Sequence, residues 1–265
     1  MKQSRQVNRT LLYGEGLFET LRVYTGHKVP LREVHCRRMA LGAEFFGFPF
    51  SATGFVEAVE AEVERIPKET DARLRVTLEV WGAEGPEETR FVTQSSPVRV
   101  EDQNYRDGVR LISAPFSRSS TSPLLAFKTT NYFENGYARQ WARDQGFYDA
   151  LFFNERGEIT EATTANLFLI RGHSLITPPV SAGLLPGIVR HTLLANAKRC
   201  SLVAEERRVT AADFGTADEV VLSNAIVEIL PVKEIAYLFA ARSSFERAVA
   251  LRAAYREILF KGERN

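Results

Sequence analysis

The sequence predicts an α+β protein of two domains. Stretches of two-residue alternation at 17–24 and 72–81 read as antiparallel strands. Stretches at helical spacing, 32–47 and 53–66, lie between them. A small, polar segment closed by proline, SRSSTSP at 117–123, reads as a linker. The expected division is a small domain at 1–116, a linker at 117–124 and a larger domain at 125–265. A chain of 265 residues is long enough to bury a core in each part.

The strand at 17–24 (LFETLRVY) ends in the turn Thr25-Gly26-His27-Lys28, and Val29-Pro30-Leu31 returns from it. The helix at 32–47 places Val34, Met39, Ala40 and Phe45 at apolar positions and stops at Gly47. The helix at 53–66 lines Phe55, Val56, Val59 and Val63 on one face. Strands follow at 72–81 (ARLRVTLEVW) and 109–114 (VRLISA). Beyond the linker, a helix at 132–145 ends at Gly146. Residues 149–153 and 166–171 read as paired strands, with Asn154-Glu155-Arg156-Gly157 as a hairpin-type turn. A short strand at 174–177 leads into the Pro- and Gly-rich loop PPVSAGLLPG. A helix at 188–199, strands at 202–205 and 219–222, and an amphipathic helix at 245–259 complete the chain.

Composition narrows the function. Hydrophobic residues at 45% and charged residues at 25% are ordinary for a globular protein. A net charge of +1 gives no global case for nucleic acid or an anionic membrane. Cys36 and Cys200 show no metal-ligand spacing, so no metal site is expected. The polar start MKQSRQVNRT has no apolar run of a secretory signal, and no stretch of 18 apolar residues exists. These features lead to the expectation of a soluble cytoplasmic protein.

The chemistry concentrates in two segments. Lys128 sits in AFKTTNY behind an apolar lead-in, the setting in which a lysine becomes an amine nucleophile. Glu161 lies 33 residues on, just before the alternating strand that begins at Asn166. Pyridoxal phosphate (PLP) needs this pair of groups: an amine for its aldehyde and an anion for its pyridine nitrogen. Two further segments suit a phosphate. In LLPGIVRHTLL a glycine opens a helix whose first amides are unpaired. In Ser223-Asn224-Ala225 a short polar side chain follows a strand and is placed to cap a helix start.

Six segments, in order, resemble the fold-type IV PLP enzymes, the class IV aminotransferase family. They are YGEGLFETLRV, LREVHCRRMALGAEFFG with its H-x-x-R spacing, FKTTNY, ITEATTANLFLI with E-x-x-x-x-N-x-F, SAGLLPGIVR, and LSNAIVEILPV. The resemblance runs from about Leu12 to Ile235. It implies a D-amino-acid-aminotransferase-like fold, a small α/β domain beside a larger one with a barrel-like sheet, a small-molecule substrate, and a homodimer. It implies that Lys128 holds PLP and moves the proton at the substrate carbon, and that Glu161 faces the pyridine nitrogen. It implies that Tyr132 lies near the ring's phenolate oxygen. Arg38 would bind the phosphate, with the backbone amides of Ile188, Val189, Asn224 and Ala225. Phe18, Glu19 and Thr20 match the strand that faces the substrate.

The chain departs from the family pattern in two ways. Family members carry another strand or two before the first signature, whereas about a dozen residues precede it here, so a trimmed first sheet is expected. The substrate-side residues also differ. EVWGAEGPEETR holds no Arg-x-His pair of the D-amino-acid enzymes. Arg73, Arg75 and Trp81 replace the tyrosine and arginine of the branched-chain enzymes, and FET stands where that group has FEG. What remains resembles the 4-amino-4-deoxychorismate lyases, which release 4-aminobenzoate and pyruvate for folate synthesis. The alternatives are an aminotransferase for D-amino acids, branched-chain amino acids or amines, and a non-catalytic relative.

Overall fold

A computed structural model describes residues 7–261. The chain opens with the short helix α1 (Arg9–Tyr13), strand β1 (Gly16–Val23) and helices α2 (Arg32–Phe46) and α3 (Ala52–Val63). Strands β2 (Ala72–Trp81) and β3 (Glu88–Pro97) then form an antiparallel sheet with β1, in the order β1-β2-β3. The inward residues of β1 and β2, among them Leu17, Leu21, Leu74 and Leu78, pack with Met39, Phe55 and Val59 of the two helices. Burying these side chains contributes roughly 1.5–3 kcal/mol each. The buried side of α2 is His35, Cys36, Met39, Gly42 and Ala43. The expected apolar positions Val34, Ala40 and Phe45 lie off it, and Phe45 is exposed.

The rest of the chain runs α4 (Asp102–Asp107), β4 (Val109–Ser113), α5 (Phe133–Asp144), β5 (Asp149–Phe153), β6 (Ile159–Ala162), β7 (Asn166–Arg171) and β8 (Ser174–Thr177). It continues with α6 (Ile188–Asn196), β9 (Val203–Glu206), β10 (Glu219–Asn224), β11 (Glu228–Ile235) and α7 (Glu246–Leu259). Strands β10, β11, β4, β5, β6 and β7 pair in succession, and β7 pairs back to β10, closing a six-stranded barrel. β8 and β9 extend the sheet from β7. Closure removes free edges and encloses one continuous apolar interior, including Leu111, Leu151, Leu169 and Leu230. On the outside, Val189 and Leu193 of α6 and Leu251 and Tyr255 of α7 pack over Phe168, Val221 and Ile229.

Contacts divide the chain into two compact units. One holds residues up to Arg99 together with Phe127–Tyr132, and the other holds Val100–Ala126 and the chain from Phe133 on. This differs from the expected boundaries of 1–116, 117–124 and 125–265. β4 pairs with β5 and β11 and so belongs to the barrel. The lysine segment turns back to the first sheet, where the Phe18 amide donates to the Lys128 carbonyl at 2.8 Å. The expected pairing of 149–153 with 166–171 is also corrected. β5 pairs with β6, and β6 with β7, so the turn at 154–157 joins β5 to a strand that lies between the two. No helix begins at Ser223-Ala225, where a tight turn joins β10 to β11 instead.

Candidate active site

In the first unit, alternation along β1 sends neighbouring side chains to opposite faces. Leu17, Leu21 and Val23 enter the apolar core beneath the helices, and Glu19 shares their parity. Glu19 is only 1% exposed, so its charge requires partners. Its Oε1 accepts from Arg38 Nε at 2.8 Å, and its Oε2 accepts from Arg38 Nη2 at 2.6 Å. The same Oε2 lies 2.7 Å from His35 Nδ1. Burial alone would push the Glu19 carboxyl up, but the charge and hydrogen bonds of Arg38 and His35 hold it at about 2. Burial pushes His35 down, opposed by Glu19, and the charges of Arg38 and Lys128 push it further the same way. His35 and Arg38 stand one helical turn apart on α2, which brings both to Glu19.

Lys128 is held beside β1 by the backbone. A bridge joins Leu17 to Thr129, and the Thr130 amide donates to the Gly16 carbonyl at 2.9 Å. Asn131 Nδ2 donates to the Gly14 carbonyl at 2.8 Å. Gly14 has φ +70°, and a Cβ there would stand 2.6 Å from Asn131 Oδ1, so only glycine fits this approach. Lys128 Nζ lies 4.3 Å from the centroid of the Phe18 ring and 5.5 Å from that of Tyr132. The Phe18 and Tyr132 rings meet edge to face at 5.2 Å. Arg75, opposite Thr20 across the β1–β2 ladder, lays its guanidinium over Phe18 at 3.6 Å. Burial and the neighbouring Arg73 push Arg75 down, and Tyr132 opposes them. The structure therefore places Lys128 and Tyr132 beside Phe18, and Thr20 two residues further along β1 on the same face as Phe18. Glu19, grouped with them by sequence, is committed to Arg38 and His35.

In the second unit, Glu161 on β6 stands directly opposite Asn166 on β7. Glu161 Oε2 accepts from Asn166 Nδ2 at 3.1 Å and from the Leu185 amide at 3.3 Å. Asn166 also donates to the Leu185 carbonyl at 2.9 Å. The other oxygen of Glu161 lies 3.7 Å from Arg118 Nη1. Arg118 is buried flat against Phe152, 3.4 Å from its centroid, and donates to Asn135 Oδ1 at 2.6 Å.

Gly187 caps α6, and Ile188 and Val189 supply its first amides; no side chain caps this end. A Cβ at Gly187 would come within 1.9 Å of Asn166 Oδ1. The residue that orients Glu161 thus also abuts the start of α6. Asn224 Oδ1 accepts from the amides of Ile226 and Val227 at 2.8 Å each, which shapes the turn that carries Ala225.

Sequence reasoning missed Arg118 outright and named Asn166 and Glu19 without their partners. Arg118 lies in the segment read as a linker. Asn166 was visible only as a letter of the E-x-x-x-x-N-x-F pattern, and its position opposite Glu161 requires the β6–β7 pairing. Glu19 gave an alternation signal, but its partnership with Arg38 spans two elements.

Each unit taken by itself carries groups of the kind a phosphorylated pyridine aldehyde requires: the first unit a backbone-fixed lysine amine and a guanidinium held by Glu19, the second a carboxylate that accepts from two amides. The α6 start adds uncapped amides that favour an anion. The chain matches the class IV amino-transferase family over residues 16–235. The branched-chain-amino-acid aminotransferase of Escherichia coli (strain K12) is 27% identical over 244 residues, covering 86% of this chain and 79% of that one. The aminodeoxychorismate lyase of Bacillus subtilis (strain 168) is 25% identical over 258 residues, covering 93% and 86%. The crystal structure of the E. coli branched-chain enzyme aligns with a TM-score of 0.85 at 25% identity, covering 95% of this chain and 88% of that one. The chain belongs to the class IV aminotransferase family. It is an enzyme of that family, and its cofactor is PLP.

Proposed function

We propose that the chain is a lyase that converts 4-amino-4-deoxychorismate to 4-aminobenzoate and pyruvate. The observation that carries this reading is the cationic face of β2. Arg73 and Arg75 lie two residues apart and so on the same side of the strand. Arg75 reaches the Phe18 ring that Lys128 also faces. Among the described residues Arg75 donates to Thr77 Oγ1 at 3.2 Å and has no carboxylate partner. A partly buried, uncompensated guanidinium beside the reactive lysine suits a substrate with more than one carboxylate. Aminodeoxychorismate carries two, whereas a branched-chain amino acid carries one and an apolar side chain. The similarity to the B. subtilis lyase, which spans 93% of the chain, supports the same reading.

PLP supplies an electron sink when bound. Lys128 holds the cofactor and moves the proton at the substrate carbon that bears the amine. Glu161 keeps a negative charge at the pyridine nitrogen, oriented by Asn166 and Arg118. Tyr132 borders the ring beside Phe18. Arg38 grips the phosphate, with the backbone amides of Ile188, Val189, Asn224 and Ala225 as further donors. Phe18 and Thr20 contribute the substrate-side wall of β1.

A second reading, an aminotransferase, is favoured by the similarity to the E. coli branched-chain enzyme. One assay separates the two. The purified protein is incubated with aminodeoxychorismate, and separately with amino donors and keto acids. The lyase reading expects 4-aminobenzoate without any keto acid. Keto-acid-dependent turnover with no aminobenzoate would overturn it.

The working unit we infer is a homodimer in the cytoplasm. Leu11, Leu12, Leu41 and Phe45 of the first unit are exposed apolar side chains, which favours a covered surface. The two free thiols suit a reducing compartment, and no helix among the described residues is long and apolar enough to cross a membrane. Light scattering should give about twice the 29.8 kDa chain mass. A fully active monomer would contradict the dimer.

A further inference from the structure

The structure assigns Glu19 the part of a positioning residue that orients Arg38 toward the cofactor's phosphate, an inference that rests on the phosphate role proposed for Arg38. Glu19 is 1% exposed, and each of its oxygens accepts from the Arg38 fork. His35, itself buried at 3%, supplies a third contact at 2.7 Å. Together they fix the guanidinium plane through Nε and Nη2.

An arginine on a solvated helix samples many rotamers and loses that freedom when it grips an anion. Here the freedom is already lost in the folded chain, so phosphate meets a preset fork. The carboxylate is needed for this, because three N–H donors converge on it. A glutamine offers one oxygen and one NH2 group. Either orientation of that amide sets a donor against Arg38 or His35.

The test compares PLP with pyridoxal, which has the same ring and aldehyde but no phosphate. Affinities are measured by absorbance titration for wild type, Glu19→Gln, Arg38→Ala and the double variant. Glu19→Gln is expected to weaken PLP binding about ten-fold, the scale of freeing one long side chain, while pyridoxal affinity changes little. In the Arg38→Ala background the same substitution should add nothing further for PLP. Glu19→Asp keeps the charge and should show a smaller loss in the same direction, and it carries the test if the glutamine variant does not fold. Equal weakening of PLP and pyridoxal, or additive losses in the double variant, would overturn the assignment. Borohydride reduction and peptide mapping on wild type keep the two ideas separable. A label absent from Lys128 defeats the cofactor reading, whereas a label on Lys128 with an unchanged PLP-to-pyridoxal ratio defeats only the role of Glu19.

Discussion

Two buried glutamates, one in each unit, stand beside an arginine, and their geometry differs. Glu19 takes both oxygens to Arg38 at 2.8 and 2.6 Å. Glu161 faces Arg118 at 3.7 Å, and its second oxygen takes a side-chain amide at 3.1 Å and a backbone amide at 3.3 Å. Two short charge-assisted bonds to one guanidinium make a fixed unit whose output is the arginine's orientation. Glu161 instead accepts from a side-chain amide and a backbone amide, with a guanidinium beside it, so several groups and not one arginine fix its position. The role of a buried acid is thus legible from its donors more than from its burial.

The largest expected effect falls on Glu161. Glu161→Gln should leave PLP bound and cut turnover by roughly a hundred-fold or more, the scale of losing a preorganised electrostatic partner. Steady-state kinetics with cofactor occupancy read from absorbance checks this. Near wild-type turnover would erase the contrast between the two acids.

Next is acid stability. Glu19 is held at about 2 against an ordinary value of 4.5. A lowered carboxyl stabilises the fold above its unfolded pKa, and that contribution is lost as pH falls from about 4.5 toward 2. The shift corresponds to roughly 3 kcal/mol. His35 is also lowered, so its protonation opposes folding in the same direction, beginning below its ordinary value of 6.5. The stability difference between wild type and Glu19→Gln, followed by urea unfolding, should therefore shrink as pH drops from 5 to 3. A pH-independent difference would mean that Glu19 is not ionised in the fold.

Arg38→Ala should weaken PLP binding by about ten-fold or more, the value of a charge-assisted contact of roughly 1.5–3 kcal/mol, with less effect on the fully loaded enzyme. Unchanged loading at micromolar PLP would leave Arg38 only as the partner of Glu19 and not as a phosphate ligand. The smallest change is in the second unit. Gly187→Ala sets a methyl 1.9 Å from Asn166 Oδ1 and should cost about 1–3 kcal/mol in chemical denaturation. An unaffected midpoint would show that Asn166 shifts at no cost.

Much of this was legible in the sequence because local chemistry carried it. Lys128 and Glu161 stand in ordered motifs, and α2, α3, α6 and α7 announce themselves by spacing and by Gly47 and Gly187. β3 was invisible because none of its residues is buried, so its alternation has no apolar face. β6 was not assigned as a strand because it is four residues long and buried throughout, so it shows no alternation. Arg118 hides in a small polar segment, where its meaning depends on Phe152 and Glu161 from other strands. The Glu19–Arg38 pair exists only once α2 folds over β1, and spacing along the chain does not report that.

The most direct measurement is reduction of the purified, PLP-loaded protein with borohydride, followed by digestion and mass spectrometry. The phosphopyridoxyl mass should appear on the peptide that contains Lys128, with loss of the visible absorbance band. The same mass on another lysine, or a colourless protein with no adduct, would contradict the assignment of Lys128 and the proposed site built around it.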